Sequence, residues 1–212
     1  MLGNTQGFVI NAGYRVANLA KAKAHWVNRD TIAWPGADQN GTYRLYHSPH
    51  GGIRVEVTTG VQGGAFIPLT PNPDGLQPSV VEQFPHLKGA TAFQVSPDSF
   101  AQIPRLLKGQ LVLVQLEGNQ PIAATSLQIP GVLDDLFYFD GELGACQSAS
   151  TVRFRLWAPT AHSVRLLTYD DPTGTSPAIY AMTESAIGVW ETHAGDPTWF
   201  NRKYYLYEVT VF

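Results

Sequence analysis

Apolar and polar residues alternate with a period of two along much of this chain, the pattern of strands buried on one face. In GIRVEVTTG, Ile53, Val55 and Val57 form an apolar row opposed by Arg54 and Glu56. VRFRLW repeats it, with Val152, Phe154 and Leu156 against Arg153, Arg155 and Trp157. GTYRLYHS sets Tyr43, Leu45 and His47 against Arg44 and Tyr46, and its SPHGG link to GIRVEV has hairpin composition. QLVLVQLEG breaks the alternation: Leu111, Val112, Leu113 and Val114 run unbroken, which predicts a strand covered on both faces. PIAATSLQI then reads as its hairpin partner across EGNQ. HWV and TIAW read as short strands around NRD, and GAFIPLTPNPDG as a strand broken by prolines.

Helical signals are few. YRVANLAKAKA, residues 14–24, has the spacing of a short helix, PSVVEQ gives one turn, and SPDSFAQIPRLLKG predicts a short helix capped by Ser96 or Ser99 and ended at Lys108-Gly109. From Pro130 the residues turn small and acidic, which predicts a connecting segment. Five further strands follow Thr151: VRFRLWA, SVRLLTY, AIYAMTES, GVWETHA and KYYLYEVTVF. Their even spacing is that of an immunoglobulin-like sandwich. The expected fold is therefore mainly all-β: two β-sandwich domains in tandem, the second immunoglobulin-like, with a few short helices in the first. The expected boundaries are an N-terminal extension, partly helical or disordered, over 1–20, a first domain over 21–130, a linker over 131–150 and a second domain over 151–212, its C-terminal end cut short.

Composition agrees with this picture. Of 212 residues, 44% are apolar and only 15% charged, with 20 glycines and 15 prolines to make turns. That is too apolar for a disordered chain. The formal net charge of −3 and the lack of basic runs give no expectation of nucleic-acid binding. No stretch approaches the roughly 20 apolar residues of a membrane span. The N-terminus lacks a basic patch followed by an apolar run, so no signal peptide is read and the compartment stays open. Cys146 is the single cysteine and has no internal disulfide partner.

Candidate chemistry is sparse. His47 and His50 stand three apart in HSPHGG, but that is a turn and no further ligands are near, so no metal site is expected. His25, His86, His162 and His193 stand singly. Asp134-Asp135 and Asp170-Asp171 are adjacent pairs flanked by turn formers, and adjacent side chains point apart, as turn and cap residues do. Glycoside hydrolysis needs two carboxyl groups facing each other across a cleft. YDDPTGTS lacks the spacing of a calcium loop. Nucleophile-elbow, phosphate-loop and dinucleotide motifs are absent. Cys146 lies in a Gly/Ala/Ser stretch without a neighbouring base and is expected to be inert. The tryptophans remain: Trp26, Trp34, Trp157, Trp190 and Trp199. Aromatic faces stack on pyranose rings and equally fill β cores. Trp157 falls off its strand's apolar row, which leaves solvent, sugar or another domain as its neighbour. Trp190 alternates with Val189 and reads as structural, while Trp199, in GDPTWFNRK, is the better candidate for an exposed loop contact.

FRLWAPTAHSVRLLTYDD, followed by GVWETHAGDPTWFNRKYYLYEVTVF, resembles the β-sandwich preceding the catalytic barrel of pullulanase-type starch-debranching enzymes, assigned to carbohydrate-binding module family 48. Upstream, AHWVNRDTIAWPG, YRLYHSPHGGI, FPHLKGATAFQV and LLKGQLVLVQLEG, with the linking IPGVLDDLFYFDGELGA, are similar to the N-terminal β domain of pullulanases and limit dextrinases. The resemblance covers about residue 14 to 212. It implies a parent enzyme of the α-amylase superfamily that hydrolyses α-1,6 branch linkages, its catalytic carboxylates on a following barrel. Such a barrel needs about 250 residues of its own, so none is expected here, no catalytic residue is carried over, and this chain alone is not expected to be an enzyme. No cofactor is implied, and calcium in the parent has no motif here. The family's glycan-binding members place a tryptophan after the second strand, a lysine in the tyrosine-rich strand, and another tryptophan beyond it. TYDDPTG holds no tryptophan, and Leu206 stands where the lysine falls. The resemblance thus favours a non-catalytic region that docks the catalytic barrel and possesses optional α-glucan contact, with Trp157 and Trp199 as carbohydrate-binding or interdomain residues. The rivals are an autonomous starch- or glycogen-binding module, and a hydrolase using residues such as Asp134, Asp135 and Asp170.

Overall fold

The structure is a computed structural model that describes residues 19, 21–148, 150–185, 187–194 and 203–212. The chain divides into two compact units at Leu136/Phe137.

In the first unit, β1 (Ala22–Asn28) and β2 (Thr31–Trp34) form the expected hairpin. Then come β3 (Thr42–Ser48), the small hairpin β4 (Arg54–Glu56) and β5 (Gly60–Gln62), and β6 (Ala65–Asn72). Helix α1 (Pro78–Gln83), β7 (Thr91–Val95), α2 (Ile103–Leu106), β8 (Gln110–Glu117), β9 (Gln120–Gln128) and α3 (Pro130–Phe137) complete it. Short 3-10 turns precede β7 and α2. Ser96 stands before the second of these turns, but its side chain makes no capping hydrogen bond.

Seven strands run in the order β1-β2-β7-β6-β3-β8-β9 and close on themselves, so the first domain is a barrel where a sandwich was expected. Closure rests on β9 lying parallel to β1, with Ala22 opposite Ser126 and His25 opposite Gln128. A closed ring leaves no strand at the edge of the sheet. Trp26, Ile32, Tyr43, Leu45, Phe93 and Leu113 are among its fully buried side chains. The apolar run in β8 now has a cause. Leu111 and Leu113 share the face of Leu45, while Val112 and Val114 join Tyr46 in an outer cluster closed by Ile53 and Val55 of the β4-β5 hairpin. A second outer cluster, under α1, gathers Val27, Ala33, Val80, Leu87 and Ala90.

Three local expectations change. SPHGG is not a hairpin link: β3 pairs with β6 and β8, and β4 pairs with β5. Gly64, at φ +74°, turns the chain back into β6, where a Cβ would lie 2.5 Å from the His47 carbonyl oxygen. β6 runs straight through Pro68 and Pro71, because each half is paired on one side only, 65–69 with β3 and 69–72 with β7. A proline there removes no ladder bond on the unpaired side. Finally, Ala22–Ala24 of the expected helix belong to β1, and residues 14–18 and 20 lie outside the described residues.

In the second unit, β10 (Gly144–Gln147), β11 (Val152–Trp157), β12 (Ser163–Tyr169), β13 (Ala178–Ala181), β14 (Thr183–Glu184), β15 (Val189–Ala194) and β16 (Tyr204–Thr210) form two sheets, β10-β11-β15-β14 and β13-β12-β16. The stretch read as a linker thus holds most of α3 and all of β10. AIYAMTES changes sheets at Met182, whose N–H donates to the Val164 carbonyl at 3.0 Å. Val152, Phe154, Val164, Leu166 and Trp190 fill the space between the sheets.

Candidate functional site

Alternation in β11 places each side chain as its sequence phase requires. Val152 and Phe154 enter the core, and Leu156 packs on it, while Arg153, Arg155 and Trp157 face out. That outer face is not bare. The Trp157 indole N–H donates to the Phe137 carbonyl at 2.7 Å, and the Arg155 guanidinium lies 5.2 Å over the Phe139 ring while its Nε meets Glu191 at 3.2 Å. Trp157 is half-buried, with its one donor used on backbone. Trp190 is buried, its N–H held by the Ala158 carbonyl at 3.0 Å. Trp199 lies outside the described residues.

The accessible rings lie instead on the other sheet. The β12-β16 register pairs Tyr169 with Tyr204, Leu167 with Leu206, and Arg165 with Glu208, and β13 sets Ile179 beside Leu167. These residues share the outer face, since Val164, Leu166 and Thr168 point inward. Ile179, Leu167 and Leu206 make an aliphatic row across three strands, with Ile179 53% and Leu206 60% exposed. Next to it Tyr169, Pro172, Gly174, Lys203, Tyr204 and Leu206 line a groove of about 510 Å³. Lys203 pairs with Asp170 at its rim. The groove therefore brings the TYDDPTG loop and the Leu206 position together. The sequence reading singled out both as departures from the family pattern but missed Tyr169 and Tyr204, whose signal was the strand phase of SVRLLTY and KYYLYEV.

Two further carboxylates have structural partners. Asp135 accepts from the Arg29 N–H at 2.7 Å, and Asp171 accepts from the Thr173 N–H at 2.7 Å and hydroxyl at 2.6 Å. The Thr173 hydroxyl, followed by its N–H, holds the Asp171 carboxyl below its ordinary range. Burial pushes the Tyr207 phenol well up, with Tyr205 adding to it. In the first unit burial lowers His25 and His47, with His86 and Arg105 respectively as the second cause. Among the described residues no three His, Cys, Asp or Glu side chains gather as a metal site, and no helix is long and apolar enough to cross a membrane.

A closed barrel followed by a two-sheet, immunoglobulin-like sandwich defines a tandem all-β module. Residues 21–135 match the Pullulanase N2 domain family, and residues 142–212 match carbohydrate-binding module 48, the isoamylase N-terminal domain. The chain belongs to the Pullulanase N2 domain family, with a carbohydrate-binding module 48 as its second part. It is 36% identical over 196 residues to pullulanase 1, chloroplastic, of Arabidopsis thaliana, covering 92% of this chain and 20% of that protein. It is 33% identical over 198 residues to a pullulanase of Klebsiella pneumoniae, covering 92% of this chain and 18% of that one. The crystal structure of apo pullulanase from Klebsiella pneumoniae superposes with a TM-score of 0.77 at 32% identity, over 90% of this chain and 20% of that one. The chain thus spans about a fifth of the length of these relatives.

Proposed function

We propose that this chain is the non-catalytic N-terminal region of a pullulanase-like hydrolase of α-1,6-glucan branch linkages, where it docks and supports the catalytic barrel. The observation that carries this reading is the aliphatic row Ile179–Leu167–Leu206 on the outer face of the second unit. A patch of exposed aliphatic side chains favours burial against protein, and Leu206 occupies the position where the family resemblance expects a glycan-binding lysine. The structural partners of Asp135, Asp170 and Asp171 also support a non-catalytic reading. A second reading, an autonomous starch- or glycogen-binding module, draws on the Tyr169–Tyr204 groove, because a tyrosine face and hydroxyl suit a pyranose ring.

Affinity electrophoresis of the chain in amylopectin and pullulan gels separates the two. Docking predicts no retardation. Retardation lost on Tyr204→Ala or Trp199→Ala establishes the binding module instead. Release of reducing ends from pullulan by the 212-residue chain refutes the non-catalytic assignment.

A further inference from the structure

Alternation in β3 places Tyr43, Leu45 and His47 on one face. Tyr43 and Leu45 are buried in the first unit's barrel, and His47, one residue before the strand ends, is half-buried at its mouth. Barrel mouths are a preferred place for small-ligand sites. Helix α2 and the 3-10 turn before it come back against this end of the strand. Together the two segments form a pocket of about 130 Å³, lined by His47, Ser48, Pro49, Gln102, Arg105 and Leu106. Its walls are held by the fold itself. The Ser48 hydroxyl donates to the Gly51 carbonyl at 2.7 Å. Gly109, just past α2, packs so closely that a Cβ there would lie 2.3 Å from the Ser48 carbonyl oxygen. The N–H groups of Leu107 and Gly109 close the end of α2 on the Ile103 and Leu106 carbonyls, at 3.0 and 3.1 Å.

The lining is electropositive. Arg105 is its charged side chain, and no Asp or Glu stands among the lining residues. Among the described residues the Arg105 guanidinium has neither a hydrogen-bond nor an ion-pair partner. It lies near enough to His47 to be, after burial, the second cause of that ring's lowered pKa. The strand neighbours of His47, Ala65 in β6 and Leu111 in β8, carry no charge. A neutral imidazole and a fixed cation thus share one small cavity, with no carboxylate in its lining to balance them.

We propose that this pocket binds a phosphate-class oxyanion, free or carried on a small molecule, through the Arg105 guanidinium, with the His47 ring and the Gln102 amide as further donors. The planar fork of arginine matches phosphate oxygens two at a time, and such charge-assisted bonds are the strong ones. Size agrees. A water occupies about 30 Å³ of liquid, so the cavity suits one tetrahedral oxyanion and lies below the roughly 300 Å³ at which drug-sized pockets begin. An anion beside His47 favours its protonated form, which adds a second cation to the site. The pocket belongs to the first unit, so it stands whether or not the second unit docks a catalytic barrel.

Histidine-ring NMR of the 212-residue chain, titrated with inorganic phosphate at constant ionic strength, is the test. One of the six histidines, assigned by its loss in His47→Gln, is expected to shift saturably and to titrate at higher pH with phosphate present. His25, whose pKa burial also lowers, is the internal control and is expected not to respond. Arg105→Gln, at an exposed position, is expected to weaken phosphate binding at least about tenfold, as the loss of hydrogen bonds to a charged group does. Without phosphate, the same variant is expected to raise the His47 pKa part of the way toward 6.5, since burial remains. Methyl phosphate in place of the free ion separates the two sources: a saturable response marks a site open to a carried phosphate group, and none marks a site for the free ion. Absence of a saturable shift at His47 overturns the proposal. So does an equal response to acetate, which marks unspecific screening, and so does phosphate affinity unchanged in Arg105→Gln.

Discussion

Replacing Trp157 with phenylalanine separates a structural tryptophan from a sugar platform. The change keeps an aromatic face but removes the indole N–H that donates to the Phe137 carbonyl at 2.7 Å. Phe137 is only 4% exposed, so water has poor access to restore the lost partner. An ordinary hydrogen bond contributes about 0.5–1.5 kcal/mol net, and a buried carbonyl left without its donor costs about 1–3 kcal/mol. The half-buried position of Trp157 favours the lower part of that range, so the expected loss is about 1–2 kcal/mol. With a urea m-value of about 1–3 kcal/mol/M, the midpoint of the second unit falls by roughly 0.3–2 M. The assay is urea unfolding followed by circular dichroism, with each unit's transition fitted separately, because a two-unit chain need not unfold in one step. An amylopectin gel run on the same variant is expected to show unchanged mobility. An unaltered midpoint together with altered mobility refutes the structural reading and makes Trp157 a glucan contact.

Three other outcomes follow from the packing. Gly188→Ala places a Cβ 2.6 Å from Pro159 Cβ at a residue held at φ +67°, so the second unit is expected to lose about 1–3 kcal/mol, read by thermal unfolding. Leu113→Ala empties a fully buried position in β8 and is expected to destabilise the first unit by about 2–5 kcal/mol, read by urea unfolding, with little change in the transition of the second. Thr173→Val removes the hydroxyl that is the main cause of the lowered Asp171 pKa while keeping the N–H, so that pKa is expected to rise toward 3.8, read by carboxyl-carbon NMR. Since the folded carboxyl is held below its unfolded value, its favourable contribution is present above the ordinary carboxylate range and is lost as pH falls through the folded pKa. Thr173→Val narrows that window, and an unchanged Asp171 titration refutes the assignment of the cause.

Period-two patterning made individual strands legible, since it records which face of a strand is covered. The phase of Val152, Phe154 and Trp157 and the unbroken run from Leu111 to Val114 are both realised in the structure. Patterning says nothing of which strand lies beside which. His25 meets Gln128 through a parallel pairing between strands a hundred residues apart, and no local signal marks a barrel's closing seam. The SPHGG composition suggested a hairpin because a turn looks alike whether the next strand pairs with the last one or crosses over to begin a new hairpin. Prolines in β6 read as breaks because the sequence does not reveal that each half of the strand is paired on one side. The candidate groove was half legible: the TYDDPTG loop and Leu206 were singled out, but Tyr169 and Tyr204 join them only through the β12-β16 register, which sets residues from two distant segments opposite each other.

Leu206 shows how one position bears on several readings at once. On the outer face it extends an aliphatic row begun by Ile179 and Leu167, and it also forms one wall of the tyrosine-lined groove. A lysine there would cost the fold little, because surface substitutions away from special features usually change stability by less than about 0.5 kcal/mol. The leucine is therefore not required by the sandwich itself. An exposed leucine that the fold does not need is best accounted for by what contacts it. An aliphatic side chain offers a glucan no hydrogen bond, whereas it gains about 25 cal/mol for each Å² covered by an apolar protein surface. The same argument does not apply to Tyr204, whose ring and hydroxyl suit protein and sugar alike. The outer face is thus chemically asymmetric, with an aliphatic side suited to protein and an aromatic side open to either partner. That asymmetry is why the Tyr204→Ala gel experiment, and not a further substitution at Leu206, decides between docking and glucan binding.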